Sequence, residues 1–217
     1  RLVGPEMCIR DRGEIGQQKR KRLCETMQGF SYIMSAFNVE SYKAYATCAM
    51  REARNGKSVA EQIQKECDLN IEIISGTKEA ETIFAGGMNE VVDDDKTYLY
   101  VDVGGGSTEV IVYSKSVKVE ACSFPLGTVR MLNDAVDKEE MKHFKKWLKN
   151  ITEKYTPDAI IGSGGNINKI HKLLNKKERE RITYQELDIL YEYMKSFNLE
   201  ERERIMKLNT YLSLIHI

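Results

Sequence analysis

Three consecutive glycines, Gly104-Gly105-Gly106, stand between two apolar runs, residues 98–102 and 108–113, rich in β-branched and aromatic side chains. Runs of that composition read as strands, so the glycines read as the loop of a β-hairpin. A dinucleotide fingerprint would need a helix after the glycines, and none follows here. Glycine lets the backbone enter conformations closed to other residues and lets a ligand approach the main chain. Several N–H groups can then converge on one anion. Ser107 and Thr108 add hydroxyl donors. Asp102, at the strand end, is placed to hold a hard cation directly or through water, and Glu109 opens the returning strand toward the same region. Carboxylates flanking a phosphate loop suit Mg²⁺, which takes oxygen ligands and keeps waters.

The surrounding pattern predicts an α/β chain with a mixed sheet flanked by helices. Lys115-Ser116 makes a second turn and residues 117–123 a third strand, giving three antiparallel strands in succession. Further strands are expected at 41–47, 71–74 and 159–161. Helices are expected at 13–38, 58–68, 78–86, 138–154, 167–174, 183–195 and 199–208. Thr183 and Glu186 have capping-box spacing at the start of one of them. A division into two lobes, 1–115 and 116–217, places the glycine loop in the first.

Three further segments carry candidate chemistry. A second Gly-rich turn, residues 162–166, follows a strand and leads into a helix, where free N–H groups and the dipole favour an anion. Paired with the first loop, it suggests two lobes closing on one phosphorylated ligand. Glu79 opens a helix after a strand, a position where an acid usually serves the dipole. Arg51, among residues 46–55, is either a bidentate phosphate ligand or a surface arginine. Cys48 has no histidine nearby in sequence and reads as a small buried residue.

Bulk properties narrow the classes. Lys plus Arg is 33 and Asp plus Glu is 33, so the net charge is zero and a general DNA- or RNA-coating protein is disfavoured. A polyanion held in one local pocket stays compatible. The five cysteines form no CxxC pair and the three histidines no metal motif, which suits free thiols in a reducing cytoplasm. No run of about 18 apolar residues predicts a membrane helix. The ends, residues 1–12 and 211–217, look foreign to the rest and resemble translated adaptor sequence.

Taken together, ATCAMREARNG (46–56), IEIISGTKEAETIFAGG (71–87), YVDVGGGSTEVIV (100–112), SFPLGTVRM (123–131) and IIGSGGNINKI (160–170) resemble the exopolyphosphatase / guanosine pentaphosphate phosphohydrolase family, over about residues 13–210. That family belongs to the actin-like ATPase superfamily. The resemblance implies two ribonuclease-H-like lobes and Mg²⁺-dependent hydrolysis of a phosphoanhydride. It implies Glu79 as the base that activates water, and Asp102 and Glu109 as metal-linked acids. Gly104, Gly105, Gly106, Ser107 and Thr108 correspond to the phosphate loop, Arg51 to a phosphate-channel residue, and Gly164, Gly165 and Asn166 to the second lobe's loop. Inorganic polyphosphate is the expected substrate, with guanosine pentaphosphate as the alternative. An actin-like kinase and a non-catalytic polyphosphate or nucleotide sensor are the other readings. The resemblance is compatible with a homodimer. The family opens with an Asp-x-Gly-Ser-Asn loop that has no counterpart before Gly13, so low activity is expected of the chain as written.

Overall fold

A computed structural model describes residues 13–85, 93, 95–133, 135–177 and 180–206. The unusual ends, 1–12 and 211–217, lie outside the described residues. The chain divides into two compact units, Arg1–Thr82 and Ile83–Ile217.

In the first unit the apolar spacing of the helices decides the packing. Helix α1 (Gln17–Ala36) is followed by strand β1 (Ala44–Ala46), helix α2 (Cys48–Glu52), helix α3 (Gly56–Cys67) and strand β2 (Ile71–Ile73). Helix α4 (Gly76–Ala85) comes next, and the division between the units falls within it. Val59, Ile63 and Cys67 recur every fourth residue, so one face of α3 is buried. That face meets Leu23 and Cys24 of α1, with Met50, Ala53 and Leu69 in the same cluster. α2 and α3 touch so closely that a β-carbon on Gly56 would lie 1.9 Å from the Met50 carbonyl oxygen. β1 and β2 pair in parallel, Ala44 opposite Ile71 and Ala46 opposite Ile73. Asn55 fastens the start of the unit by accepting from the Ile15 N–H (2.9 Å) and donating to the Ile15 carbonyl (3.0 Å).

The second unit is built on a four-stranded mixed sheet in the order β5-β4-β3-β6. Its strands are β3 (Thr97–Val103), β4 (Thr108–Ser114), β5 (Val117–Phe124) and β6 (Ala159–Ser163). β3, β4 and β5 are antiparallel neighbours, and β6 joins β3 in parallel. Helices α5 (Thr128–Leu132) and α6 (Lys138–Tyr155) supply the crossover that a parallel pair needs. α7 (Gly165–Leu173), α8 (Tyr184–Lys195) and α9 (Leu199–Met206) follow. Asp137 caps α6 by accepting from the Glu139 N–H (2.9 Å). The α6 stripe of Met141, Phe144, Trp147, Leu148 and Ile151 covers Leu99, Val110, Val112 and Phe124 on one face of the sheet. The Phe124 ring packs edge-on against Phe144, centroids 4.9 Å apart. The other face carries Tyr98, Tyr100, Ile111 and Tyr113, all buried, so β3 and β4 are covered on both sides.

The mixed sheet flanked by helices matches the sequence expectation, and the Thr183–Glu186 capping box forms in full. Three details differ. Lys115 and Ser116 adopt φ of 51° and 60°, the left-handed pair of a tight two-residue turn. The 115/116 position is therefore inside the β4–β5 hairpin, while the units divide at 82/83, and the glycine loop belongs to the second unit. The Gly-rich turn at 162–166 shrinks to Gly164, because Gly162 and Ser163 complete β6 and α7 begins at Gly165. α5 was not foreseen: five residues are too few to show a helical period. Among the described residues, no helix is long and apolar enough to cross a membrane.

Candidate functional site

Strand register brings the polar groups of the second unit into line. Asp102 is opposite Glu109 on β4 and opposite Ser163 on β6, and Glu109 is opposite Ser123 on β5. Directly opposed residues share a face, so Ser123, Glu109, Asp102 and Ser163 form one row across four strands. Asp102 and Glu109 are both 2% exposed. Glu109 accepts from the Ser123 hydroxyl at 3.1 Å. Asp102 Oδ1 is buried without a hydrogen-bond partner. Two positions back on β3, the Tyr100 hydroxyl donates to Ser163 Oγ at 2.7 Å. Burial, aided by the Asp102 and Glu109 charges, pushes the Tyr100 phenol up to about 12, although the Ser163 contact works the other way. Tyr100 therefore stays a neutral donor beneath the row.

The glycine loop joins β3 to β4 at the end of this row. The Gly104 N–H donates to the Ser107 carbonyl at 2.9 Å and closes the loop. Its three glycine carbonyls all point at the segment leading into α5. Gly104 O accepts from the Thr128 N–H (3.1 Å) and Gly105 O from the Val129 N–H (2.8 Å). Gly106 O accepts from Arg130 Nε (2.6 Å). In a trans peptide the next residue's N–H points opposite to the carbonyl, so the N–H groups of Gly105, Gly106 and Ser107 face away from α5. Successive N–H groups turned to one side are the kind of donor set that binds an anion. The loop is closely packed at two of the glycines: a β-carbon on Gly105 would sit 3.1 Å from Val129 Cγ2, and one on Gly104 3.2 Å from the Ser107 carbonyl oxygen. Positive φ, the freedom expected of this triplet, is found instead at Gly13 and Gly164.

Gly164 lies beside Asp102 within the same unit, because β6 is the parallel neighbour of β3, and Gly165 and Asn166 open α7 directly after it. The two Gly-rich loops therefore share one sheet, where the sequence suggested two lobes. Gly164 has φ 95°, and a β-carbon there would come within 2.9 Å of Asp102 Oδ1. The cradle around Asp102 accordingly admits only glycine on that side. Thr108 corrects another expectation. Its hydroxyl donates to the Leu126 carbonyl, on the face of β4 opposite to Glu109, so in this structure that hydroxyl braces the connection to α5. Ser107 is buried at the loop end.

Arg51 and Glu79 belong to the first unit, at the carboxyl ends of its parallel strands. Arg51 closes α2 after β1, and its Nη1 donates to the Ile74 carbonyl at 2.7 Å. Glu79 lies half-buried in the first turn of α4, which Ser75 caps by accepting from the Lys78 N–H at 3.1 Å. Crevices at the carboxyl ends of parallel strands are where ligands bind in α/β sheets. Cys48 is half-buried, less enclosed than expected, and donates to Glu52 at 3.3 Å. Sequence reasoning missed Tyr100, Ser123, Ser163 and Arg130. Only cross-strand register and the unforeseen α5 reveal them.

The chemistry of the donor set fits a hard cation. An orphaned buried carboxylate oxygen faces a glycine cradle, and a second buried carboxylate stands directly opposite on the next strand. Among the described residues, no group of three or more His, Cys, Asp or Glu comes together. The protein's share would be two carboxylates, as Mg²⁺ sites that also use substrate and water oxygens require.

The chain is similar to several known proteins. Exopolyphosphatase 1 of Mycobacterium tuberculosis is 24% identical over 177 residues, covering 74% of this chain and 51% of that protein. The guanosine-5'-triphosphate,3'-diphosphate pyrophosphatase of Aeromonas hydrophila is 26% identical over 174 residues, covering 74% of this chain and 35% of that protein. The chain thus spans about half or less of the length of these relatives. The crystal structure of the Aquifex aeolicus Ppx/GppA family member superposes with a TM-score of 0.73 at 25% identity, covering 94% of this chain and 72% of that one. An exopolyphosphatase from Cytophaga hutchinsonii has the same fold, with a TM-score of 0.75 at 23% identity over 93% of this chain and 72% of that one. The profile of the Ppx/GppA phosphatase family matches residues 6–211, and the chain belongs to that family.

Proposed function

We propose that the chain is a phosphohydrolase that releases the terminal phosphate of inorganic polyphosphate. The carrying observation is the buried Asp102–Glu109 pair beside three loop amides that share one outward direction. A phosphoanhydride is densely anionic, and its hydrolysis asks mainly for positioning and charge stabilisation. The amides of Gly105, Gly106 and Ser107 bind phosphate oxygens. Asp102 and Glu109 would hold Mg²⁺ together with water, and Ser123 orients Glu109 through its hydroxyl. When bound, Mg²⁺ neutralises developing charge on the substrate oxygens. Glu79 is assigned as the base that takes a proton from the attacking water, and Arg51 as a phosphate ligand. Guanosine pentaphosphate is the second substrate reading, favoured by the Aeromonas relative. A cytoplasmic location is proposed from the free cysteines.

Orthophosphate release from each substrate, with and without Mg²⁺, tests the proposal. Release is expected to need Mg²⁺ and to fall by about 10²–10⁴-fold in Glu79→Ala, the usual worth of a general base. Release that is unchanged in Glu79→Ala would remove that assignment. Binding of polyphosphate with no release at all would favour a sensing module.

A further inference from the structure

Residues 128–130 supply a donor to every glycine carbonyl of the loop, but the donors differ in kind. Gly104 and Gly105 are held by backbone N–H groups, with the Thr128 hydroxyl a further and longer donor to the Gly104 carbonyl at 3.5 Å. The donor to Gly106 is the Nε–H of Arg130, at 2.6 Å. The Gly106 carbonyl and the Ser107 N–H belong to one planar trans peptide. Whatever holds that carbonyl therefore aims that amide. Arg130 is half-buried in the five-residue α5, and its side chain turns toward the loop backbone. Gly127, just ahead, has no room for a β-carbon, which would stand 2.3 Å from the Gly105 carbonyl oxygen. The segment is thus pressed against the loop and has little freedom to move.

We infer that Arg130 is a positioning residue for the anion loop: through its Nε–H on the Gly106 carbonyl it orients the Ser107 amide, and its charge is not what recognises the ligand. The inference rests on the proposal that the loop binds phosphate groups. It assigns a role to a side chain of the SFPLGTVRM segment to which the sequence reading gave none.

Two substitutions separate the hydrogen bond from the charge. Arg130→Gln places an N–H donor the same number of bonds from Cα as the arginine Nε, without charge. Arg130→Met places a methyl group there, with similar length and no donor. Two quantities are measured on the full chain. One is affinity for inorganic tripolyphosphate with Mg²⁺, by calorimetry. The other is hydrogen exchange of the Gly104 and Ser107 amides without ligand, by NMR. Arg130→Met is expected to weaken tripolyphosphate binding about tenfold, the worth of one charge-assisted hydrogen bond, and to speed exchange in the loop. Arg130→Gln is expected to recover most of both, with the denaturation midpoint the same in all three proteins. Equal loss of affinity in the two variants with exchange unchanged would mean that the charge touches the ligand, and would overturn the inference. A lowered midpoint with affinity and exchange intact would overturn it in favour of a purely structural role. If the wild-type chain fails to bind tripolyphosphate while exchange still rises in Arg130→Met and recovers in Arg130→Gln, the positioning role stands and the phosphate proposal falls.

Discussion

A carboxylate that is 2% exposed, with one oxygen lacking any partner, costs a fold several kcal/mol relative to the same group in water. Asp102 carries that cost at the end of β3, and a bound cation would offset it. Replacing Asp102 by Asn removes the buried charge while keeping the shape. Without Mg²⁺, Asp102→Asn is expected to be at least as stable as the wild type in chemical denaturation. With Mg²⁺ about a hundredfold above its Kd, the wild type should gain about 2.7 kcal/mol by mass action and the variant nothing. A Mg²⁺-dependent gain that persists in Asp102→Asn would take this residue out of the cation site. Other residue roles show how far sequence reaches. The pairing of Asp102 with Glu109 across the hairpin was legible because both flank the glycines. The Thr108 contact was not, because alternation along β4 turns it to the opposite face, where Leu126 takes its hydroxyl.

At the scale of elements, the glycine loop and the segment entering α5 behave as one unit, joined by the three carbonyl contacts and by close approach. Gly127→Ala tests that coupling. Its β-carbon would fall 2.3 Å from the Gly105 carbonyl oxygen and 2.5 Å from the Gly106 carbonyl carbon, both rigid backbone atoms. The loop must shift to admit it, so a destabilisation of about 1–3 kcal/mol and a loss of tripolyphosphate affinity are expected together. Unchanged values in both denaturation and calorimetry would refute the close approach. Elements with a strong pattern were legible from sequence: the α6 stripe follows from one buried face, and the continuous apolar runs of β3 and β4 follow from burial on both faces. α5 was not, being too short to display a period, whereas β1 fell inside the strand expected at 41–47.

For the molecule as a whole, a net charge of zero bears on how a polyanion can be bound. Backbone amides and a cation act at contact distance, whereas non-specific nucleic-acid binding draws on many dispersed Lys and Arg. The chain should therefore bind tripolyphosphate with Mg²⁺ while showing no measurable affinity for duplex DNA at about 0.15 M salt, where the Debye length is only about 8 Å. Fluorescence anisotropy with labelled duplex checks this, and tight DNA binding would contradict it.

The sequence by itself determined the class of secondary structure along most of the chain, the hairpin glycine loop, and the acids beside it. These follow from local periodicity and from residue chemistry over a few neighbours. Only the tertiary structure decided that the two Gly-rich loops share one sheet, that Ser163 and Ser123 complete the row with Asp102 and Glu109, and that α5 holds the loop carbonyls. The reason is physical. Strand order and register are set by hydrogen bonds between residues far apart in sequence, and a slip of one residue would turn every side chain of a strand to the other face.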